Sequence, residues 1–196
     1  MIPGFDIHGV VPPIRPGEAG HSPDRAPYPT DMLTFCQRFG GTPERRAILR
    51  GLLDLRDALR GAGIVEGFQW LDGSFAEDVE RLRGQAPADI DVVRFCAFGD
   101  TAQQQRLLQA IPEAFESARA KAAYRVDHYF VQTDGQTDPA RASAELTRWA
   151  AYWYSMWAHQ RDTQQWKGFV FVLLGLGDDQ ARAWLDRQTP DEGGAP

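Results

Sequence analysis

Two aspartates separated by one residue, Asp89 and Asp91, lie in the segment "DIDVVRF", residues 89–95. Alternating polarity and β-branched residues predict a β-strand. Strand residues two apart project to the same face, with Cα atoms ~6.6 Å apart at ~3.3 Å rise per residue. Neighbouring carboxylates repel each other unless a cation lies between them, and carboxylate oxygens suit Mg²⁺. The pair therefore indicates either a divalent-cation site or simply a polar strand edge.

A second candidate is the dipeptide Gly73-Ser74, which follows the short apolar segment "FQWL" and precedes a predicted helix. Glycine allows a ligand to approach the backbone closely, and the first N–H groups of a helix are free to bind an anion. This pattern favours a phosphate-binding turn. The alternative is purely local, because Ser74-Phe75-Ala76-Glu77 also fits the S-x-x-E pattern of a capping box.

A third carboxylate, Asp127, lies in the predicted strand segment "VDHYFV", residues 126–131. A Gly-Ser turn, an Asp-x-Asp strand and a later single Asp form an order typical of two-metal phosphoryl-transfer sites. Three carboxylates can hold two cations about 3.5–4 Å apart. The order predicts that Asp89, Asp91 and Asp127 converge beside the turn.

Together these residues resemble the DNA-polymerase-β-like nucleotidyltransferase superfamily, over about residues 66–131. Leu71-Asp72-Gly73-Ser74 matches its first motif, Asp89-Ile90-Asp91 its second and Asp127 its third. The resemblance implies that Asp89 and Asp91 bind two Mg²⁺ ions when an NTP is present. It also implies that Asp127 completes the metal site and helps to deprotonate the acceptor, while Gly73 and Ser74 hold the β- and γ-phosphates.

Two features depart from the superfamily pattern. Asp72 occupies a position that is apolar in many members, and it could place an anion near the triphosphate. The spacer between the first two motifs, Phe75 to Ala88, is slightly long. The loop "GQAPA" within it can absorb the extra length.

The whole chain is also similar to a narrower group of bacterial nucleotidyltransferase-like proteins of unassigned function. The matching segments are "IPGFDIHGVVPP", "LDGSF" with "DIDVV", and "YWYSMWAHQRDTQQWKGFVFV". This likeness supports the superfamily and names no substrate.

The function that the resemblance implies is a Mg²⁺-dependent nucleotidyltransferase. It would transfer a nucleoside monophosphate from an NTP, such as ATP, to a hydroxyl group on a protein, a small molecule or an RNA end. The alternative hypothesis is a non-catalytic or regulatory partner in a toxin–antitoxin or phage-defence system.

Several other residues have two interpretations each. Arg161 and Lys167, with His159, lie between the predicted long helix and the last strand, where they could bind the triphosphate or belong to a solvated loop. Three tryptophans at helical spacing, Trp149, Trp153 and Trp157, favour core packing over a base-stacking platform or a partner groove. His128 lies on the strand face opposite Asp127, which favours a core position.

The predicted elements alternate as helix, strand, helix, strand, helices, strand, helix, strand. This order predicts an α+β fold with a mixed β-sheet of about four to five strands flanked by helices. Residues 1–29 hold more than half of the 13 prolines and are predicted to form an extended arm packed on the domain. Residues 30–187 would form a single nucleotidyltransferase-like domain, and residues 188–196 a frayed tail.

Composition limits the classes of binding partner and the cellular compartment that the sequence favours. A formal net charge of −6 disfavours a broad non-specific nucleic-acid surface, which needs clustered Lys and Arg. The sequence shows neither a secretory signal nor an apolar span of membrane length. It has two cysteines, Cys36 and Cys96, which are predicted to be buried free thiols. These features predict a cytoplasmic protein without membrane contact.

Overall fold

The structure, a computed structural model, describes residues 1–188. Its elements are β1 (Tyr28–Thr30), α1 (Met32–Phe39), α2 (Pro43–Gly61), β2 (Gly67–Asp72), α3 (Val79–Arg83), β3 (Ile90–Cys96), α4 (Thr101–Ala110), α5 (Ser117–Tyr124), β4 (Val126–Gln132), α6 (Pro139–Trp157), β5 (Val170–Leu173) and α7 (Asp178–Arg187). Short 3₁₀ helices cover Ser74–Ala76 and Pro112–Phe115. The α+β prediction is confirmed. Of the predicted tail, residues 189–196 lie outside the described residues.

The sheet has five strands in the order β1-β5-β2-β3-β4. The outer pairs, β1 with β5 and β3 with β4, are parallel, whereas β2 runs antiparallel to both of its neighbours. The parallel β3–β4 connection needs a crossover, which α4 and α5 supply. The sheet is therefore mixed, as the sequence predicts.

Two apolar clusters lie on opposite faces of the sheet. The larger cluster packs helices α1, α2 and α7 against residues such as Ile90 and Val92 of β3. The smaller packs α6 against Val93 and Phe95, which project from the other face. Alternation along β3 thus places apolar side chains on both faces, while Asp91, near the start of the strand, lines a cavity.

The tryptophan stripe of α6 belongs to the smaller cluster. Trp153 and Trp157 are buried, and Trp157 packs edge-on against Phe169 with ring centroids 6.0 Å apart. Trp149 is partly buried at the margin of the same cluster. The core-packing interpretation of this stripe is confirmed.

The first 29 residues lie against the domain at several points. Val10 and Val11 are buried, and the Val11 carbonyl accepts a hydrogen bond from Gly168 N–H over 2.6 Å. Strand β1 spans the predicted boundary between arm and domain and pairs with β5. No helix within residues 1–188 is both long and apolar enough to cross a membrane.

Both cysteines are buried and free, as predicted. Burial raises the pKa of each thiol to about 12. These thiols are therefore protonated and unreactive at physiological pH.

Candidate active site

Three aspartates form a continuous row at one end of the adjacent strands β2, β3 and β4. In the strand register, Asp72 of β2 lies opposite Asp91 of β3, and Asp91 lies opposite Asp127 of β4. Adjacent strands are ~4.8 Å apart, and directly paired residues project to the same face. The pairing therefore brings together three carboxylates that lie far apart in the sequence.

This row opens into a cavity of about 640 Å³, a size typical of small-molecule sites. Asp89, one residue before β3, lines the same cavity. So do all the other residues proposed from the sequence as site residues: Gly73, Ser74, Asp91, Asp127, Arg161 and Lys167. The structure thus places every one of these candidates around one cavity.

The Asp91 carboxylate is buried beside two other negative charges. Burial, followed by the negative charges of Asp127 and Asp89, raises its pKa to about 6. The cations Lys167 and Arg161 act in the opposite direction without cancelling this effect. At neutral pH the cavity floor therefore holds negative charge that the protein does not fully compensate.

Helix α5 supplies a partner to each of the two other carboxylates. The Lys121 ammonium forms an ion pair with Asp89, and the Ser117 hydroxyl donates a hydrogen bond to Asp127. The contact with Asp89 raises the Lys121 pKa, although the lysine side chain is about half exposed. A cation entering the cavity would have to compete with Lys121 for Asp89.

The glycine of the turn is required by the position of Asp91. Gly73 has φ +80°, and a Cβ at this residue would lie 1.8 Å from Asp91 Oδ2. A side chain would therefore displace the carboxylate, apart from the strain of the left-handed backbone. The Gly73-Ser74 turn and the Asp-x-Asp strand are in direct contact.

The capping-box alternative for this turn is wrong. Ser74 begins a 3₁₀ helix of three residues, and no side chain caps it. The Glu77 carboxylate instead accepts hydrogen bonds from Lys167 Nζ over 3.0 Å and from Gln160 Nε2 over 2.7 Å. A tertiary ion pair has thus replaced the local contact that the sequence pattern suggested.

A buried ion-pair network lies beneath the turn. Lys167 Nζ is 3.1 Å from Asp72 Oδ1 and 3.0 Å from Glu77 Oε1, and it donates to the Gly73 carbonyl over 3.3 Å. Burial alone would lower the pKa of this lysine, but the carboxylates of Asp72 and Glu77 outweigh it and raise the pKa. Burial raises the Asp72 pKa to about 7 despite the nearby ammonium.

The two predicted basic residues therefore occupy different positions. Arg161 is exposed at the cavity rim. Lys167 is only 4% exposed, and its ammonium already contacts three protein oxygens. It supports the Gly73-Ser74 turn from below rather than presenting a free cation to a ligand.

Sequence reasoning missed several residues that shape the cavity or its carboxylates, among them Glu77, Arg83, Ser117 and Gln160. The sequence did contain one signal for the buried role of Lys167. Asp72 ends an apolar strand, and a carboxylate buried there needs a cationic partner. That partner is Lys167, 95 residues away in the chain.

The carboxylates suit a divalent cation bound together with a phosphate ligand. Within residues 1–188, no group of three or more His, Cys, Asp or Glu side chains forms a ready-made metal cage. Mg²⁺ usually binds one or two carboxylates and completes its shell with water and substrate phosphates. The uncompensated charge at Asp91, beside Asp89 and Asp127, fits that mode of binding.

Comparison with known proteins gives a family without an assigned activity. A family model described as a family of unknown function (DUF6932) matches residues 3–173, which include every proposed site residue. No curated protein and no solved structure matches the chain.

Proposed function

Since the chain belongs to a family of unknown function (DUF6932), we propose its activity from the site: a Mg²⁺-dependent nucleotidyltransferase. It would transfer a nucleoside monophosphate from an NTP to a hydroxyl acceptor. One observation carries the proposal. Asp89, Asp91 and Asp127 line one cavity, and the Gly73-Ser74 turn packs directly against Asp91.

The order of these residues along the chain adds support. Turn, Asp-x-Asp and single Asp follow one another as in the DNA-polymerase-β-like superfamily that the sequence resembles. The two departures from that pattern do not disturb the arrangement, because Asp72 is paired with Lys167 and the spacer folds as a short helix and loop. The superfamily assignment remains part of the proposal.

The triphosphate would lie along the turn and the cavity rim. The backbone at Gly73 and Ser74 allows close approach, and phosphate oxygens need cationic partners. Arg161 is an exposed cation that lines this cavity. Arg83 also lines it, 3.5 Å from an Asp162 oxygen and 3.8 Å from a Glu77 oxygen. Lys167 would act indirectly, because it fixes the Gly73 carbonyl and hence the course of the turn.

Asp89, Asp91 and Asp127 would hold the metal. Bound Mg²⁺ supplies charge neutralisation of the triphosphate and activation of the attacking oxygen. The carboxylates are anchored on adjacent strands and on the residue before β3, so they are positioned before a ligand binds. Preorganisation of this kind accounts for much of the catalysis in phosphoryl transfer.

The chemical step balances without a further reactant. The acceptor oxygen attacks the α-phosphorus, and a new P–O bond forms. The bond from the α-phosphorus to the bridging oxygen breaks, and pyrophosphate leaves with its electron pair. Asp127 would accept the hydroxyl proton; its carboxylate already accepts a hydrogen bond from Ser117 and also interacts with the Tyr129 hydroxyl.

Calorimetric titration with ATP, GTP, CTP and UTP, each with Mg²⁺, tests the nucleotide site. We expect at least one NTP to bind in the presence of Mg²⁺ and not in EDTA. Asp91→Asn should abolish that binding while the circular dichroism spectrum stays unchanged. Absence of binding by all four NTPs at millimolar concentration would contradict the proposal.

The acceptor class can be identified with α-³²P-labelled NTP. The label should move to one fraction of a cell extract, whether protein, RNA or small molecules, and the Asp91→Asn variant should not transfer it. Recovery of all label as free NTP in every fraction, despite tight nucleotide binding, would show a binding protein rather than a transferase.

A further inference from the structure

A buried arginine lies on the face of the sheet opposite the aspartate row. Arg94 of β3 is three residues from Asp91, so its side chain projects to the other face. It is 1% exposed and lies opposite Gln69 of β2. An arginine so deeply buried normally has a carboxylate partner.

Arg94 has no such partner within residues 1–188. No Asp or Glu oxygen lies within ion-pair distance, and one of its terminal nitrogens donates to Gln69 Oε1 over 3.2 Å. Its buried Nε has no acceptor. Burial, and then the positive charge of Arg56, lower its pKa to about 9. The side chain therefore remains a cation at neutral pH.

Arg94 lines a small cavity together with Arg56 and Arg60. Asp178 also lines it, but both of its oxygens accept from Arg56 at 2.7–3.1 Å. Arg56 nevertheless keeps a buried Nη1 without an acceptor. Arg60 is paired with Asp57 outside the cavity lining, so the lining residues keep the charge of Arg94 uncompensated. Arg94 and Arg56 each also carry one buried N–H group without an acceptor.

We propose that this cavity binds a single chloride ion. Its volume of about 20 Å³ suits one water-sized particle, which excludes phosphate, sulfate and nucleotides. A monatomic anion between these two arginines would accept from the vacant donors and compensate the Arg94 charge. Water could accept the same hydrogen bonds but would leave the charge unpaired.

Bound chloride would stabilise the folded chain, because the cavity walls come from β3, α2 and the segment before α7 and assemble only on folding. With a dissociation constant on the order of 10 mM, about 100 mM chloride raises the folded-to-unfolded ratio roughly tenfold. The effect is independent of the nucleotide site on the other face.

The first test is a crystal of the full chain soaked in sodium bromide, since bromide replaces chloride and scatters anomalously. We expect an anomalous peak in the cavity, within contact distance of Arg94 and Arg56. A well-ordered cavity without such a peak would overturn the proposal.

The second test compares the melting temperature in sodium chloride and in sodium gluconate at equal ionic strength. The wild type should melt higher in chloride, and Arg94→Met should lose the difference. Arg106→Met is the matched control, since Arg106 is exposed on α4, and it should keep the difference.

An equal chloride effect in the Arg94→Met chain, or no effect in the wild type, would refute the site. If Arg94→Met does not fold, the bromide peak in the wild type decides.

Discussion

Asp91 lies directly opposite Asp127 on the parallel strands β3 and β4, and both carboxylates face one cavity. Parallel pairing of these strands depends on the crossover through α4 and α5, which brings together residues 36 positions apart. Their repulsion contributes to the raised Asp91 pKa. The fold thus holds two like charges together at a site where a cation would relieve them.

Gly73→Ala should displace the Asp91 carboxylate, because the new Cβ would lie 1.8 Å from Asp91 Oδ2. We expect a loss of stability on the order of 1–3 kcal/mol from the left-handed backbone and the clash. Mg²⁺-dependent NTP binding should also weaken strongly. Urea denaturation and calorimetry measure the two effects.

Gly41→Ala is the matched control, because a Cβ at Gly41 meets no atom within 4 Å and needs no left-handed backbone. It should leave both stability and NTP binding close to those of the wild type. Equal behaviour of the two alanine variants would show that Gly73 has no special role.

Lys121→Met should lower the Mg²⁺ concentration that gives half-maximal NTP binding. The ammonium pairs with Asp89 and is half exposed, so we expect a change of about two- to fivefold, the size typical of an exposed ion pair. Lys121→Arg keeps the charge and should keep the wild-type requirement. A higher Mg²⁺ requirement in Lys121→Met would mean that the lysine assists ligand binding instead.

Lys167→Met should strongly destabilise the chain, because it leaves Asp72 buried without a cation and leaves Glu77 with only the longer 3.8 Å ion-pair contact to Arg83. Removing one partner of a buried ion pair typically costs about 3–5 kcal/mol. Adding Asp72→Asn should recover part of that loss, since one of the unpaired charges disappears. Urea denaturation of the single and double variants measures the coupling, and strictly additive losses would contradict the network.

His128 should make the stability depend on pH. It is buried, and burial together with the Arg94 charge lowers its pKa well below 6.5. Below pH 6.5 the unfolded chain binds a proton at this residue that the folded chain does not, so the His128 contribution to stability falls as pH decreases. Asp72 and Asp91, whose folded pKa values are raised, contribute in the opposite direction, and the comparison with a His128 variant isolates the histidine. The slope approaches about 1.4 kcal/mol per pH unit for one proton.

His128→Asn should remove that slope, because the amide can replace Nδ1 as the donor to the Ala114 carbonyl. His8→Asn is the control, since His8 is exposed, and it should retain the wild-type slope. Urea denaturation at a series of pH values between 5 and 7.5 compares the three proteins. Identical slopes in wild type and His128→Asn would show that His128 takes up its proton in the folded state as well.

Local sequence patterns predicted the strands well, and also the face of the sheet to which their side chains project. In β3 the alternation alone placed Ile90 and Val92 in the core and Asp91 on the other face. The same alternation placed His128 in the core. These properties depend on a two-residue period, which the sequence displays directly.

Long-range partners could not be predicted in this way. The pairing of Asp72 with Lys167 depends on β5 lying beside β2, and strand order is not a local property. Glu77 forms contacts with Lys167 and Gln160 instead of a local helix cap, and both partners come from the same distant segment. The short strand β1 escaped notice because proline-rich segments rarely pair within sheets.

The most direct test of the account is anomalous diffraction from crystals grown with Mn²⁺ and a non-hydrolysable NTP analogue. Mn²⁺ shares the oxygen ligands and octahedral preference of Mg²⁺. We expect an anomalous peak bound by Asp89 and Asp91, with the Lys121–Asp89 ion pair broken and the triphosphate along the Gly73-Ser74 turn. An intact Lys121–Asp89 pair and no peak in the cavity, at saturating metal and nucleotide, would contradict it and favour a non-catalytic partner protein.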